Sequence, residues 1–137
     1  MNGKIETVKA WIEKGDHDLG TAQITYLHIP KYRDTIAFHC QQAGEKYLKS
    51  YLIFLEIPFK RTHDLIFILG LISQKNNVTK ETYDKAAELK NFAVEIRYPD
   101  TIIDLSEQDI QKAILLAKEF REYVLSRMEI TMDYDSI

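Results

Sequence analysis

A single cysteine, Cys40, is all the thiol this 137-residue sequence holds. It excludes an internal disulfide and fits a reducing compartment. Proline and glycine are scarce, with 3 and 5 copies, so few points interrupt regular structure. Alternation of apolar and polar residues is hard to find, which argues against strands. Long apolar runs are missing too. The longest, LIFILGLI at residues 65–72, falls far short of the ~20 residues needed to span a bilayer. The first residues, MNGKIETVKAWIEKGDHD, mix charge with apolar groups and show no signal-peptide core. A soluble, cytoplasmic protein without a membrane role is the expectation. Excess positive charge is absent: the net charge is -3, which excludes broad electrostatic binding to DNA or membranes but leaves room for a local basic site. The sequence has no Gly-rich phosphate loop, nucleophile elbow or paired-carboxylate signature. His17, His28, His39 with Cys40, and His63 do not fall at metal-ligand spacing, so neither metal nor cofactor is expected.

Helical spacing fills what remains. A first helix is predicted over residues 4–27, with Ile5, Val8, Ile12, Leu19, Ala22 and Tyr26 near one stripe and Trp11 widening it. Gly15 and Gly20 each cost roughly 1 kcal/mol against alanine there, which suggests a bend or a close helix contact. Pro30 ends that helix. A second helix spans residues 32–55. At 100° per residue, Ile36, Cys40, Ala43, Tyr47, Tyr51 and Phe54 share one line, and Ala37, Gly44, Leu48 and Leu55 the next. Such a wide apolar arc predicts a central helix. Asp64 caps a short third helix over residues 65–73, expected to be buried on most sides. Thr79 caps a fourth over residues 80–97, with Tyr83, Ala86, Leu89, Ala93 and Ile96 inward. Ser106 and Asp109 resemble a capping box opening a fifth helix to residue 128, with Ile110, Ala113, Ala117, Phe120 and Val124 buried. The predicted architecture is all-α: an up-and-down bundle of four to five helices in one domain, residues 1–128, followed by a loose acidic tail, residues 129–137.

Polar residues crowd the second helix. Gln41 projects between Leu48 and Leu52, inside the apolar arc, where an amide must find partners. Gln42, Glu45 and Lys49 form a strip beside the core, with Lys46 farther round. Glu45 and Lys49 read most simply as an exposed i,i+4 ion pair. His63 precedes the third helix, where it can bond backbone or contact a ligand. Arg97 closes the fourth helix, where it can cap carbonyls or grip a phosphate. Tyr98 can stack on a base or pack.

Four segments, Trp11-x3-Gly15-x2-Asp18-Leu19-x2-Ala22, FHCQQAGEKYLK at 38–49, THDL at 62–65 and RYPD at 97–100, together resemble the HEPN domain family (higher eukaryote and prokaryote nucleotide-binding) over residues 4–127. The resemblance implies a homodimeric bundle that binds nucleotide or RNA, commonly beside a minimal nucleotidyltransferase partner. It implies nucleotide contacts from Gln42, Lys46, Lys49, His63, Arg97, Tyr98 and Asp100, and a buried polar network of Gln41 and Glu45. Some members are instead ribonuclease toxins of toxin–antitoxin pairs, similar in an Arg followed four to six residues later by His. No His follows Arg97 here, and Arg33 with His39 fits that spacing at the wrong place. Catalysis by the chain alone is therefore not expected. A third reading is a purely structural dimer held by the polar strip.

Overall fold

The computed structural model describes residues 2–94 and 105–134. Among these lie five helices and no strand: α1 (Asn2–His28), α2 (Arg33–Phe54), α3 (Leu65–Ile72), α4 (Lys80–Val94) and α5 (Glu107–Met128). The expected all-α bundle is present. The end of the predicted fourth helix, with Ile96 and the RYPD segment, lies outside the described residues.

The wide apolar arc of α2 has its physical outcome: α2 touches each of the other helices. Ile36, Ala37, Cys40, Ala43, Tyr47, Leu48 and Leu52 are fully buried. The short helix α3 departs from expectation. Its composition is apolar all round, but Leu65, Ile68, Leu69 and Ile72 alone are buried, while Phe67 is 55% exposed. One face of eight residues is all that α2 and α4 can cover.

The ends of the helices follow local chemistry. Asp64 caps α3, accepting from the Ile66 N–H at 2.9 Å. The Thr79 hydroxyl accepts from the Thr82 N–H at 3.2 Å. Ser106 and Asp109 close the capping box at α5. Two C-termini were not foreseeable by the usual glycine signal. Glu56 and Glu129 take left-handed backbone, at φ 58° and 54°. Each ends its helix in the paired 6→1 and 5→2 hydrogen bonds normally built on glycine. Ile57 N–H donates to Leu52 and Glu56 N–H to Ile53, both at 3.0 Å. Ile130 N–H and Glu129 N–H do the same to Leu125 and Ser126, at 3.1 and 3.3 Å. The isoleucine that follows each glutamate packs onto the core, offsetting a left-handed cost of roughly 1–2 kcal/mol.

Helices α1 and α2 run antiparallel, with Gly15 of α1 set against the Tyr47 ring of α2. A Cβ there would stand 2.6 Å from Tyr47 Cε1, so the glycine is needed for close contact. Beside it, Asp16 accepts from Tyr47 Oη at 2.6 Å and from Arg121 Nε and Nη2 of α5 at 2.8 and 3.2 Å. Burial, with the Asp16 carboxylate adding to it, pushes the Tyr47 hydroxyl far above its ordinary range. For Arg121, desolvation opposes the charge, but the Asp16 carboxylate outweighs it and raises the pKa. This clamp joins α1, α2 and α5. The tail expected to be loose is held there as far as Tyr134: Arg121 Nη2 donates to the Met132 carbonyl at 3.1 Å, and Tyr134 Oη donates to Gln23 at 2.5 Å.

Candidate functional site

The polar strip of α2 resolves into two clusters, each centred on a carboxylate that holds one lysine and one histidine. In the first, Glu45 is 3% exposed. Its Oε2 accepts from Lys49 Nζ at 3.0 Å, and both its oxygens lie 3.1 Å from His63 Nδ1. The Lys49 ammonium also lies 5.7 Å from the Trp11 ring centroid of α1, a cation–π distance. The exposed i,i+4 pair is thus a buried one. Two buried charges lose hydration, and the pair is retained only because each finds several partners.

In the second cluster, Asp18 of α1 lies 2.9 Å from His39 Nδ1 through Oδ1 and accepts from Lys46 Nζ through Oδ2. The side chains of His39 and Lys46 keep 27% and 25% of their exposure, against 6% for Lys49. Lys46 and Lys49 therefore differ in kind. Lys49 is walled in by Glu45 and Trp11, while Lys46 reaches the surface. Gln42 lies between them on the helix and donates to Gln41 Oε1 at 3.1 Å. Gln41 in turn donates to the His63 carbonyl at 3.1 Å, which answers the demand of its buried amide.

His63 and Asp64 form a joint. The His63 ring and carbonyl fasten to α2 through Glu45 and Gln41. Asp64 caps α3 with one oxygen and accepts from Lys90 Nζ of α4 at 3.2 Å with the other. Burial draws the Asp64 pKa upward, but the Lys90 ammonium and the Ile66 N–H outweigh it and hold the carboxyl below its usual range. A depressed folded-state pKa contributes stability above the unfolded value, and this is lost as pH falls through the folded one. Asp64→Ala is expected to lower stability by about 1 kcal/mol at neutral pH, mostly the cap, because the Lys90 pair is too solvated to add much. Urea unfolding of both proteins should show the pair's part of the difference shrinking as pH falls from the unfolded toward the folded-state pKa.

Arg33 and His39 do not meet. They lie about 120° apart round α2. Arg33 Nη1 donates to the Leu105 carbonyl at 2.6 Å, while His39 faces Asp18. Arg97, Tyr98 and Asp100 fall outside the described residues. Sequence reasoning gave no role to Lys90 and none to His39 beyond that chance spacing; it read Trp11 as part of the apolar stripe of the first helix and noted Asp18 only within the resemblance. Their partners lie on other helices, and no local spacing marks them.

The Nε2 atoms of His39 and His63 are free of protein hydrogen bonds among the described residues, and 63% of the His63 side chain is exposed. A carboxylate at Nδ1 fixes the orientation of each ring. Lys46, 25% exposed at its side chain, adds a cationic donor to this edge. No three His, Cys, Asp or Glu side chains gather as metal ligands among the described residues. No described helix is long and apolar enough to cross a membrane.

The chain is similar to two solved structures. One is ST0689, an archaeal HEPN homologue, with 25% identity over 88% of this chain and 97% of that one and a TM-score of 0.70. The other is TT1696 from Thermus thermophilus, with 21% identity over the same shares and a TM-score of 0.73. No curated protein matches the chain. The model of the HEPN domain matches residues 8–128, nearly the whole bundle from Val8 to the last turn of α5, and the protein belongs to the HEPN domain family.

Proposed function

We propose that this protein is a nucleotide-binding HEPN module that acts as a homodimer beside a minimal nucleotidyltransferase subunit. One observation carries the binding role: two low-exposure carboxylates each hold a histidine at the edge of the α2 strip, with Lys46 between solvent and Asp18. His39, Lys46 and His63 supply the donors for phosphate, and the Gln42 amide reads a sugar or base edge. Lys49 acts differently from the surface lysine that the family resemblance implies. It neutralises Glu45 so that the carboxylate does not repel the guest. Arg97, Tyr98 and Asp100 complete the proposed contacts from the segment after α4. Dimerisation and the nucleotidyltransferase partner rest on family membership.

The test is calorimetric titration with ATP and with a short RNA. Saturable binding is expected, weakening as salt rises. Lys46→Ala should raise Kd by ~10-fold, about 1.4 kcal/mol; the urea midpoint of the variant, read beside it, separates this from the stability lost when Asp18 keeps only His39. Absence of heat with either ligand, or binding indifferent to Lys46→Ala, would overturn the proposal.

The carboxylate-oriented imidazoles also favour a second reading, proton transfer in RNA cleavage, as in the family's ribonucleases. Cleavage of RNA by the purified protein, abolished by His63→Ala, would put that reading first.

A further inference from the structure

The opposite side of α2, about 160° from Glu45, carries the Asp16–Tyr47–Arg121 clamp, which the proposed binding role does not use. The chain after α5 doubles back over it. Left-handed Glu129 makes the reversal. The Met132 carbonyl then returns to Arg121, about two turns before the helix end, and the Tyr134 ring lies 5.2 Å from the Arg121 guanidinium carbon. The Tyr134 hydroxyl reaches Gln23 of α1.

Few contacts hold this segment. Ile130, Met132 and Tyr134 are only partly buried, and residues 130–134 form no regular structure. An open hollow of about 470 Å³ is lined by residues 130–132 together with Arg121, Leu125 and Ser126 of α5. Irregular backbone held by a few contacts beside an open hollow opens at lower free energy than a packed helix.

The helix register shows what lies beneath. Along the antiparallel pair, Lys49 stands at Trp11, Tyr47 at Asp16 and Lys46 at Asp18. Two turns from Tyr47 toward the start of α2 is Cys40. Two turns from Asp16 toward the end of α1 is Gln23. A seven-residue step keeps each within ~20° of its face, so Tyr134, bonded to Gln23, stands level with Cys40. That thiol is fully buried, and burial pushes its pKa up to about 12.

We propose that residues 130–134 are a strap that opens ahead of global unfolding and gates access to the α1–α2–α5 seam at Cys40. The Arg121 stack and the Gln23 bond are its two clasps.

Cys40 is the one thiol of the chain, so its reaction with Ellman's reagent reads opening without an added label. The rate is measured against urea concentration for wild type, Tyr134→Phe and Tyr134→Ala, beside equilibrium unfolding of each. In wild type the rate should be flat in urea well below the transition, because local opening exposes little surface. Tyr134→Ala should raise it at least ~10-fold, beyond what its loss of global stability accounts for. Tyr134→Phe, which keeps the ring over Arg121, should fall between. Should Tyr134→Ala fail to fold, the urea dependence of wild type and Tyr134→Phe decides. Labelling that tracks global unfolding at every urea concentration, or that Tyr134→Ala leaves unchanged, overturns the proposal.

Discussion

Glu45→Ala is expected to cost about 3–5 kcal/mol, the range for stripping one partner from a buried ion pair. Lys49 would keep its ammonium in a 6%-exposed niche with only the Trp11 ring against it. His63 would lose its ring partner, freeing one of the two ties between the THD turn and α2. Since a domain of this size holds about 5–15 kcal/mol in total, the variant should sit close to its unfolding threshold. Urea unfolding followed by circular dichroism measures the loss. Pairing Glu45→Ala with Lys49→Met should return much of it, because no unpartnered charge is then left buried. A single-variant loss under ~1 kcal/mol would mean that the pair behaves as a solvated one.

A second large loss is expected at the other side of α2. Arg121→Met keeps bulk in α5 but removes three of the hydrogen bonds at the clamp. Asp16, 14% exposed at its side chain, would retain only the Tyr47 hydroxyl. The cost should be about 3 kcal/mol, at the lower end for a broken buried pair because Asp16 keeps that donor and some water. Asp16→Asn added to Arg121→Met should recover part of it, since the amide carries no charge to strand. Denaturation midpoints of the three variants check the cycle; strict additivity would show that the two side chains do not couple.

Much of the bundle was legible because its signals are local. Pro30 stops α1, Asp64 and Ser106 carry capping chemistry, and the width of the α2 arc foretold its place at the centre. Composition misled at α3, because LIFILGLI does not say how many neighbours there are to cover it. The left-handed Glu56 and Glu129 were illegible for a related reason: only packing of the next isoleucine makes a non-glycine terminus tolerable there. The polar strip was legible as an anomaly, polar groups beside an apolar arc, but its pairing was not. Nothing near Lys46 names Asp18, 28 residues earlier, and nothing near Asp16 names Arg121, 105 residues later. Such contacts follow from helix register, which a single chain does not spell out.

The proposed binding edge is tested most directly by the histidine ring signals in NMR during an ATP titration. The chain has four histidines: His39 and His63 sit on the proposed edge, while His17 and His28 are exposed on α1. The Cε1–H resonances of His39 and His63 should shift together along one saturation curve, with those of His17 and His28 still. Shifts confined to His17 and His28, or no shift at His39 and His63 when ATP binds, would contradict the assignment of the α2 edge as the anion site.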